Sequence, residues 1–205
     1  MRAPDHLRVR RHPERGAYDR ETIDAILDEA QICHVGFVVD GRPFVIPTIH
    51  ARAGDVLYLH GSTASRMLRT LGEGVDVCVT VTLLDGIVLA RSVYNHSMNY
   101  RSAVVLGRAR PLEGDEKLAA LEAIVEHVVP GRWSDARQPN RTELKATSVL
   151  ALPLDQASAK IRTGPPSDFD EDENLPVWAG VIPLRLVAGA PESVDGLPLP
   201  AYLRD

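Results

Sequence analysis

The segment VDVCVTVTLLD, residues 75–85, is the strongest constraint on how this 205-residue chain can fold. Val75, Val77, Val79, Val81 and Leu83 fall on one side of an extended strand, and Asp76, Cys78, Thr80 and Thr82 on the other. Period-two alternation of this length specifies a β-strand with one buried face. Asp85-Gly86 follows it and predicts a hairpin turn into IVLARS. A second Asp-Gly, at 40–41, separates ICHVGFVV from RPFVIPTIH, the strongest short hairpin signal. AGD at 53–55 turns the chain into VLYLHG, and a further long strand is expected over 98–110. SVLALPL, SAKIRTG and WAGVIPLRL read as short strands near the C-terminus.

Helical spacing appears in three places. Asp19 is placed to cap a helix over 20–30 with Ile23, Ile26, Leu27 and Ala30 on one face. A short helix over 64–71 is stopped by Gly72 and Gly74. DEKLAALEAIVEHVV carries an apolar stripe of Leu118, Leu121, Val125 and Val128, and Pro130-Gly131 ends it. Many short antiparallel strands with few helices predict a mainly β protein, a closed barrel with peripheral helices. One domain over 1–205 is expected, with an arm at 1–18 and a tail at 188–205.

Charge narrows the function classes. Against 23 basic side chains stand 28 acidic ones, a net of −5, which argues against a nucleic-acid partner. The basic N-terminal stretch has no apolar run, and no stretch reaches the ~18 apolar residues of a membrane helix, so neither signal peptide nor membrane anchor is expected. Cys33 and Cys78 fall in strand-like segments and read as reduced core thiols of a cytoplasmic protein. No CxxC or HxxxH spacing supports a disulfide or zinc site. The acidic loop SDFDEDENLP lacks the spacing and glycine of an EF-hand and reads as a solvated surface loop.

The chemistry concentrates where VLYLHG passes into the short helix. HGSTASR, residues 60–66, packs a glycine, three hydroxyls, a histidine and an arginine into one strand-to-helix turn. Ser62, Thr63, Ser65 and Arg66 would suit a phosphate monoester. The same residues also suit an ordinary N-capped helix with a solvated arginine, and the spacing alone does not separate the two. A Walker loop is missing, GEG at 72–74 lacks the third glycine of a dinucleotide fingerprint, and there is no Gly-x-Ser-x-Gly elbow. His34, His50, His60 and His96 sit in or near strands without a ligand spacing that requires a metal.

FVIPTIHAR, VLYLHGSTASRMLRTL, SVYNHSMNYRSAVVLGRA, NRTELKATSVLALPLDQASAKIRTGPP and PVWAGVIPL, in this order, resemble the FMN-binding split barrel of the pyridoxamine 5′-phosphate oxidase superfamily. The branch most resembled is the flavin-nucleotide-binding, nitroimidazole-resistance-like group, over roughly residues 10–187. The resemblance implies FMN as cofactor, with residues 46–50 beside the isoalloxazine ring. There Pro47, Thr48 and Ile49 contribute backbone groups and His50 its side chain. It implies that His60 and Gly61 lie by the ribityl chain and that Ser62, Ser65 and Arg66 meet the phosphate. Asn99, Tyr100 and Ser102 would line the other side of the flavin. It further implies a homodimer with FMN at the interface, where Lys160, Arg162 and Trp178 reach the partner's flavin.

The departures are specific. Met67 stands where the oxidases carry a second phosphate-binding lysine, and His50 where their strand ends in lysine. The arginine and histidine signature for pyridoxal phosphate has no counterpart in VDGLPLPAYLRD. The resulting expectation is an FMN-dependent oxidoreductase that passes electrons from NAD(P)H to a small electron-poor acceptor, a nitroaromatic or a quinone. A non-catalytic flavin carrier or sensor is the rival. A relative preferring haem or deazaflavin is a third reading, separable by the colour of the purified protein.

Overall fold

The computed structural model describes residues 4–194 and 196–204; Met1, Arg2 and Ala3 of the expected arm, and Asp195 and Asp205 of the expected tail, lie outside them. In chain order the elements are β1 (Gly16–Ala17), α1 (Arg20–Glu29), β2 (Ile32–Val39), β3 (Arg42–Ala53), β4 (Val56–Ser62), α2 (Arg66–Gly72), β5 (Asp76–Leu89), β6 (Ser97–Arg108) and β7 (Arg110–Pro111). Then follow α3 (Gly114–Val128), α4 (Arg132–Asp135), α5 (Arg141–Ala146), β8 (Thr147–Pro153), β9 (Ala157–Arg162) and β10 (Gly180–Pro183). The strands form one antiparallel sheet in the order β1-β9-β6-β5-β2-β3-β4-β8-β7, with β10 added to β5. The sheet curls into a split barrel with helices at its periphery.

Local chemistry explains the frame. Asp40 and Gly41 both have positive φ, 50° and 73°, as a two-residue hairpin requires, and they set the β2–β3 register Val39↔Arg42 through Ile32↔Ile49. The period-two run of β5 buries Val77, Val79 and Val81 and leaves Asp76, Cys78, Thr80 and Thr82 on the other face. Val35, Leu57, Leu59, Val79, Val105 and Leu152 are fully buried inside the barrel. Helix α1, capped by Asp19 Oδ1 accepting from Thr22 N at 2.8 Å, adds Ile23, Ile26 and Leu27 to this core. Each such side chain contributes about 1.5–3 kcal/mol of burial.

Two expectations are corrected. Asp85-Gly86 is not a hairpin: β5 runs through it, with a bulge between Leu84 and Gly86. Arg101 holds Asp85 through Nε at 3.0 Å and a terminal nitrogen at 2.7 Å. Gly86 lets β10 pass so close that a Cβ there would lie 2.9 Å from Val181 Cγ1 and 3.2 Å from the Ile182 carbonyl oxygen. These contacts are long-range, so a local turn signal is converted into a bulge.

The buried face of α3 is Lys117, Ala120 and Ile124, whereas Leu118 is exposed. Ala120 allows the helix to approach Val149 and Ala151 of β8, and the Lys117 stem covers apolar surface that leucine was expected to cover.

Candidate functional site

Three groups of the expected residues are positioned separately. The first is the corner between β4 and α2. Gly61 permits α2 to fold back on its strand, since a Cβ there would lie 3.0 Å from Leu68 Cδ1. Ser65, not Ser62 or Thr63, is the N-cap; its Oγ accepts from Leu68 N at 3.5 Å. Ser62 Oγ accepts from Ala64 N at 3.2 Å within the turn. Arg66 is exposed, its guanidinium stacked over the Phe44 ring at 4.8 Å, and no carboxylate pairs with it among the described residues. A cation held in place by an aromatic face, and not neutralised, is free to receive an anion. The half-buried His60 has an Nδ1 without a partner, and burial lowers its pKa.

The second group lies on β3. Side chains alternate along it, so Val45, Pro47 and Ile49 are exposed while Phe44, Ile46 and Thr48 are half-buried on the opposite side. His50 shares the parity of Phe44 and Thr48, and its side chain turns inward. It is fully buried, with Nε2 3.0 Å from the Leu27 carbonyl oxygen. The expected His50 side chain beside a ring is therefore corrected: the strand offers Pro47 and Ile49 outward, and His50 closes the C-terminal end of α1. His127 repeats the contact, with Nε2 2.8 Å from the Ala30 carbonyl oxygen and its ring 5.4 Å from that of His50. The C-terminal carbonyls of a helix lack internal donors, and both imidazoles supply one. Burial lowers the His50 pKa, which keeps it neutral.

The third group spans β6 and β9. Tyr100 pairs with Arg162 and Ser102 with Lys160 across the ladder, and Ser102 Oγ donates to the Lys160 carbonyl oxygen at 3.2 Å. Asn99 is buried and committed to structure: Nδ2 donates to the Gly164 carbonyl oxygen at 3.0 Å, and Oδ1 accepts from Arg162. Arg162 is 8% exposed and has no carboxylate partner among the described residues; burial and nearby Arg15 lower its pKa. Trp178 lies apart, 65% exposed, its ring against Gly180 at the entry to β10.

Strand order fixes how these groups relate. β2 and β5 lie between β3 and β6, so at ~4.8 Å per strand the second and third groups are roughly 14 Å apart on one sheet. The face between them is unusually apolar for exposed surface: Ile32, Val38, Val45 and Leu84 are 54–67% exposed. His34 sits within it, exposed, opposite Pro47 on one side and Thr80 on the other. Among the described residues no cluster of three or more His, Cys, Asp or Glu side chains could hold a metal ion, and no helix is long and apolar enough to cross a membrane.

One cleft was missed in the sequence. It has a volume of about 420 Å³, runs beside α2, and is bounded by Thr63, Arg69, Lys117 and Lys145. The signal available was the lysine at position 117 inside an otherwise apolar helix face.

Known proteins share this architecture. The flavocytochrome Anf3 of Azotobacter vinelandii is 42% identical, with a TM-score of 0.90 over 97% of this chain and 95% of that one. An FAD and haem binding protein of Mycobacterium smegmatis is 40% identical, with a TM-score of 0.85 over 93% of this chain and 96% of that one. A candidate 5-nitroimidazole antibiotic resistance protein of Bacteroides thetaiotaomicron is 28% identical, with a TM-score of 0.58 over 71% of this chain and 86% of that one. Curated proteins provide no significant match. The family model described as pyridoxamine 5′-phosphate oxidase matches residues 19–161, well over half the chain, and the protein belongs to that family.

Proposed function

We propose that the protein is a dimeric flavin-nucleotide redox protein, with the flavin phosphate at the β4–α2 corner and its ring along the exposed side of β3. The observation that carries this reading is Arg66, a cation without a carboxylate partner among the described residues, fixed over Phe44 at the turn that carries the hydroxyls of Ser62 and Ser65. Two relatives at 40–42% identity are described as a flavocytochrome and an FAD and haem binding protein, which supports a flavin over other phosphorylated ligands.

A second copy of the chain completes the site in this reading. The β3 and β6–β9 groups are too far apart for one ring of ~10 Å to meet both in the same chain. An isologous two-fold contact through the apolar face brings the β6–β9 group of one protomer against the β3 group of its partner. Tyr100, Ser102, Lys160 and the buried Arg162 then supply an aromatic wall and positive charge. A bound flavin supplies the hydride and electron chemistry. The chain's own part is to orient the ring, exclude water and leave a slot for a small electron-poor acceptor, with NAD(P)H as donor. The free thiols Cys33 and Cys78 support a cytoplasmic setting.

The test is the absorption spectrum of the purified protein, mass identification of the cofactor released by heat, and NAD(P)H oxidation with nitroaromatic or quinone acceptors. A colourless protein that binds neither FMN nor FAD refutes the reading. Bound flavin without turnover makes it a carrier or sensor.

The names of the same two relatives favour a second cofactor, haem. His34 suits an axial ligand: an imidazole with no hydrogen bond among the described residues, on an apolar face. A Soret band that His34→Ala abolishes while flavin remains is the expected result; no Soret band in haem-supplied protein removes this second reading.

A further inference from the structure

We propose that a second cleft, between the N-terminal arm and the outer face of β6 and β9, seats a small aromatic anion and makes an acid-bearing aromatic the electron acceptor of this chain. The proposal rests on the flavin reading above and names the class of substrate that the same site takes.

Local chemistry folds the arm onto the sheet. Gly16 and Ala17 pair with Lys160 and Ala159 of β9. His12, at a positive φ of 57°, reverses the chain ahead of them, so that residues 6–11 run over the outer face of the sheet. Val9 N donates to the Tyr18 hydroxyl at 2.9 Å, Leu7 is buried, and His6 Nε2 lies 3.0 Å from Gln156 Oε1. A Cβ on Gly16 would lie 3.1 Å from Val9 Cβ, so arm and strand touch. Between arm and sheet is a cleft of about 320 Å³.

The cleft is apolar within and positive at its edge. Leu7, Val9, Val104 and Leu106 are buried or half-buried, whereas Arg8, Arg10 and Arg11 are exposed and Lys160 is half-buried. No carboxylate lines it. Asp5 pairs with Arg10 at 2.6 Å and stands 3.8 Å from Arg8; Arg11 and Lys160 have no carboxylate partner among the described residues. Four cations against one carboxylate leave this region positive in a chain whose net charge is −5. Two residues beyond Lys160, on the same face of β9, Arg162 repeats the imbalance where solvent cannot relieve it. It is 8% exposed, and its hydrogen bonds go to the neutral Asn99 Oδ1 and, at 3.4 Å, to the Pro165 carbonyl oxygen. A buried cation without a counter-charge is costly, and an anion brought close offsets part of that cost.

Size and position select the guest. At ~30 Å³ per water-sized group the cleft holds roughly ten non-hydrogen atoms, which is one aromatic ring with its substituents and not a dinucleotide. The ring suits the apolar interior, and an acidic substituent suits the cations at the edge. Ser102 and Lys160 line the cleft and also belong to the group that meets the partner's flavin in the dimer proposed above. Successive outward residues of β6 are about 7 Å apart, so a guest against Val104 lies one such step from Ser102 and beside that flavin.

4-Nitrobenzoate and 4-nitrobenzamide, alike in size and differing by one charge, test this on the full-length protein with its flavin bound. Calorimetry reads affinity, and the visible absorption of the bound flavin reads proximity. Wild type, Arg11→Ala and the double variant Arg8→Ala/Arg11→Ala are compared with Arg42→Ala, which removes a charge from β3 instead. All three arginines are exposed, so truncation leaves the core intact. The nitrobenzoate should bind at least about ten-fold tighter than the amide, lose that advantage as salt rises, and shift the flavin spectrum. Arg11→Ala should weaken it about three- to ten-fold and the double variant further, with the amide and the flavin content unchanged. Arg42→Ala should match wild type. Equal affinity for acid and amide, or equal behaviour of Arg11→Ala and Arg42→Ala, overturns the proposal and leaves the flavin reading standing. Binding without a spectral shift also overturns it, because the anion then sits away from the flavin. A protein that binds neither FMN nor FAD refutes the reading on which the proposal rests.

Discussion

His50 Nε2 lies 3.0 Å from the carbonyl oxygen of Leu27, tying a barrel strand to the last turn of α1. A fully buried imidazole in this role must donate, so it must carry its proton on Nε2 and remain neutral. His50→Ala leaves that carbonyl unsatisfied and a cavity beside it. A loss of about 1–3 kcal/mol in urea-unfolding free energy is expected at pH 7.5.

The same contact sets a pH dependence. Burial lowers the folded-state pKa of His50 below its ordinary value of 6.5, so the unfolded chain takes up the proton first. The stabilisation is fully present above pH 6.5 and is lost as pH falls below it. The urea midpoint of the wild type should therefore drop more between pH 7.5 and 5.5 than that of His50→Gln. Parallel curves for the two proteins would show that His50 is not the titrating group.

Arg66 and Arg69, one helical turn apart on α2, differ in what they are expected to do for a flavin phosphate. Arg66→Ala should weaken FMN by about ten- to hundred-fold, the loss of one charge-assisted contact, and leave riboflavin unchanged. Ser65→Ala should cost about 1 kcal/mol through the lost helix cap and hydroxyl. Arg69→Ala should leave FMN as it was. Isothermal titration with the two flavins reads all three, and identical behaviour of the two arginine variants would mean that the phosphate is misplaced.

Gly86 controls the attachment of β10. A methyl group there meets Val181 Cγ1 at 2.9 Å and the Ile182 carbonyl oxygen at 3.2 Å, and backbone cannot rotate away as a side-chain tip can. Gly86→Ala should destabilise by about 1–3 kcal/mol. The amides of Gly180, Val181 and Ile182 should exchange faster with deuterium while those of Val79 and Val105 stay protected. Uniform loss of protection would instead mean that β10 is part of the core.

The apolar sheet face provides a test of assembly. Val45→Glu places a charge on a side chain 67% exposed in the isolated chain, where a monomer would tolerate it. In a two-fold dimer the change appears twice, so it should shift sedimentation equilibrium to the monomer and release flavin with it. A dimer that survives Val45→Glu with its flavin would place the interface elsewhere.

The frame was legible wherever the signal is local. Asp40-Gly41 fixed a hairpin, Asp19 a helix start, and the valine ladder of β5 a strand with a known inner face. Asn140, whose side chain accepts from Thr142 and Glu143 while Glu143 returns a bond to its backbone, is a capping box written plainly as N-x-x-E, and α5 could have been found from it. Asp85-Gly86 misled because a bulge and a hairpin share their residue preferences, and only the distant Arg101 and β10 distinguish them.

His50 was hidden by a different effect. Both faces of β3 are apolar, Phe44 and Ile46 inside, Val45 and Ile49 outside, so alternation gives the period but not which face is core. The cleft at Lys117 was invisible for a third reason: its walls come from stretches around residues 63, 69, 113 and 145, which have no sequence relationship until the chain is folded.

The register Gly16↔Lys160 has a consequence for biosynthesis. β1 has no partner until β9 has left the ribosome, and the 86–89 end of β5 waits still longer for residues 180–183. The β2–β3 hairpin can form early, but the barrel cannot shut while roughly the last fifth of the chain is untranslated. Topologies dominated by such non-local strand pairs fold on the millisecond-to-second scale. During that interval the inner face of the sheet lacks its β9 side, and apolar surface left open in this way favours association of unfinished chains.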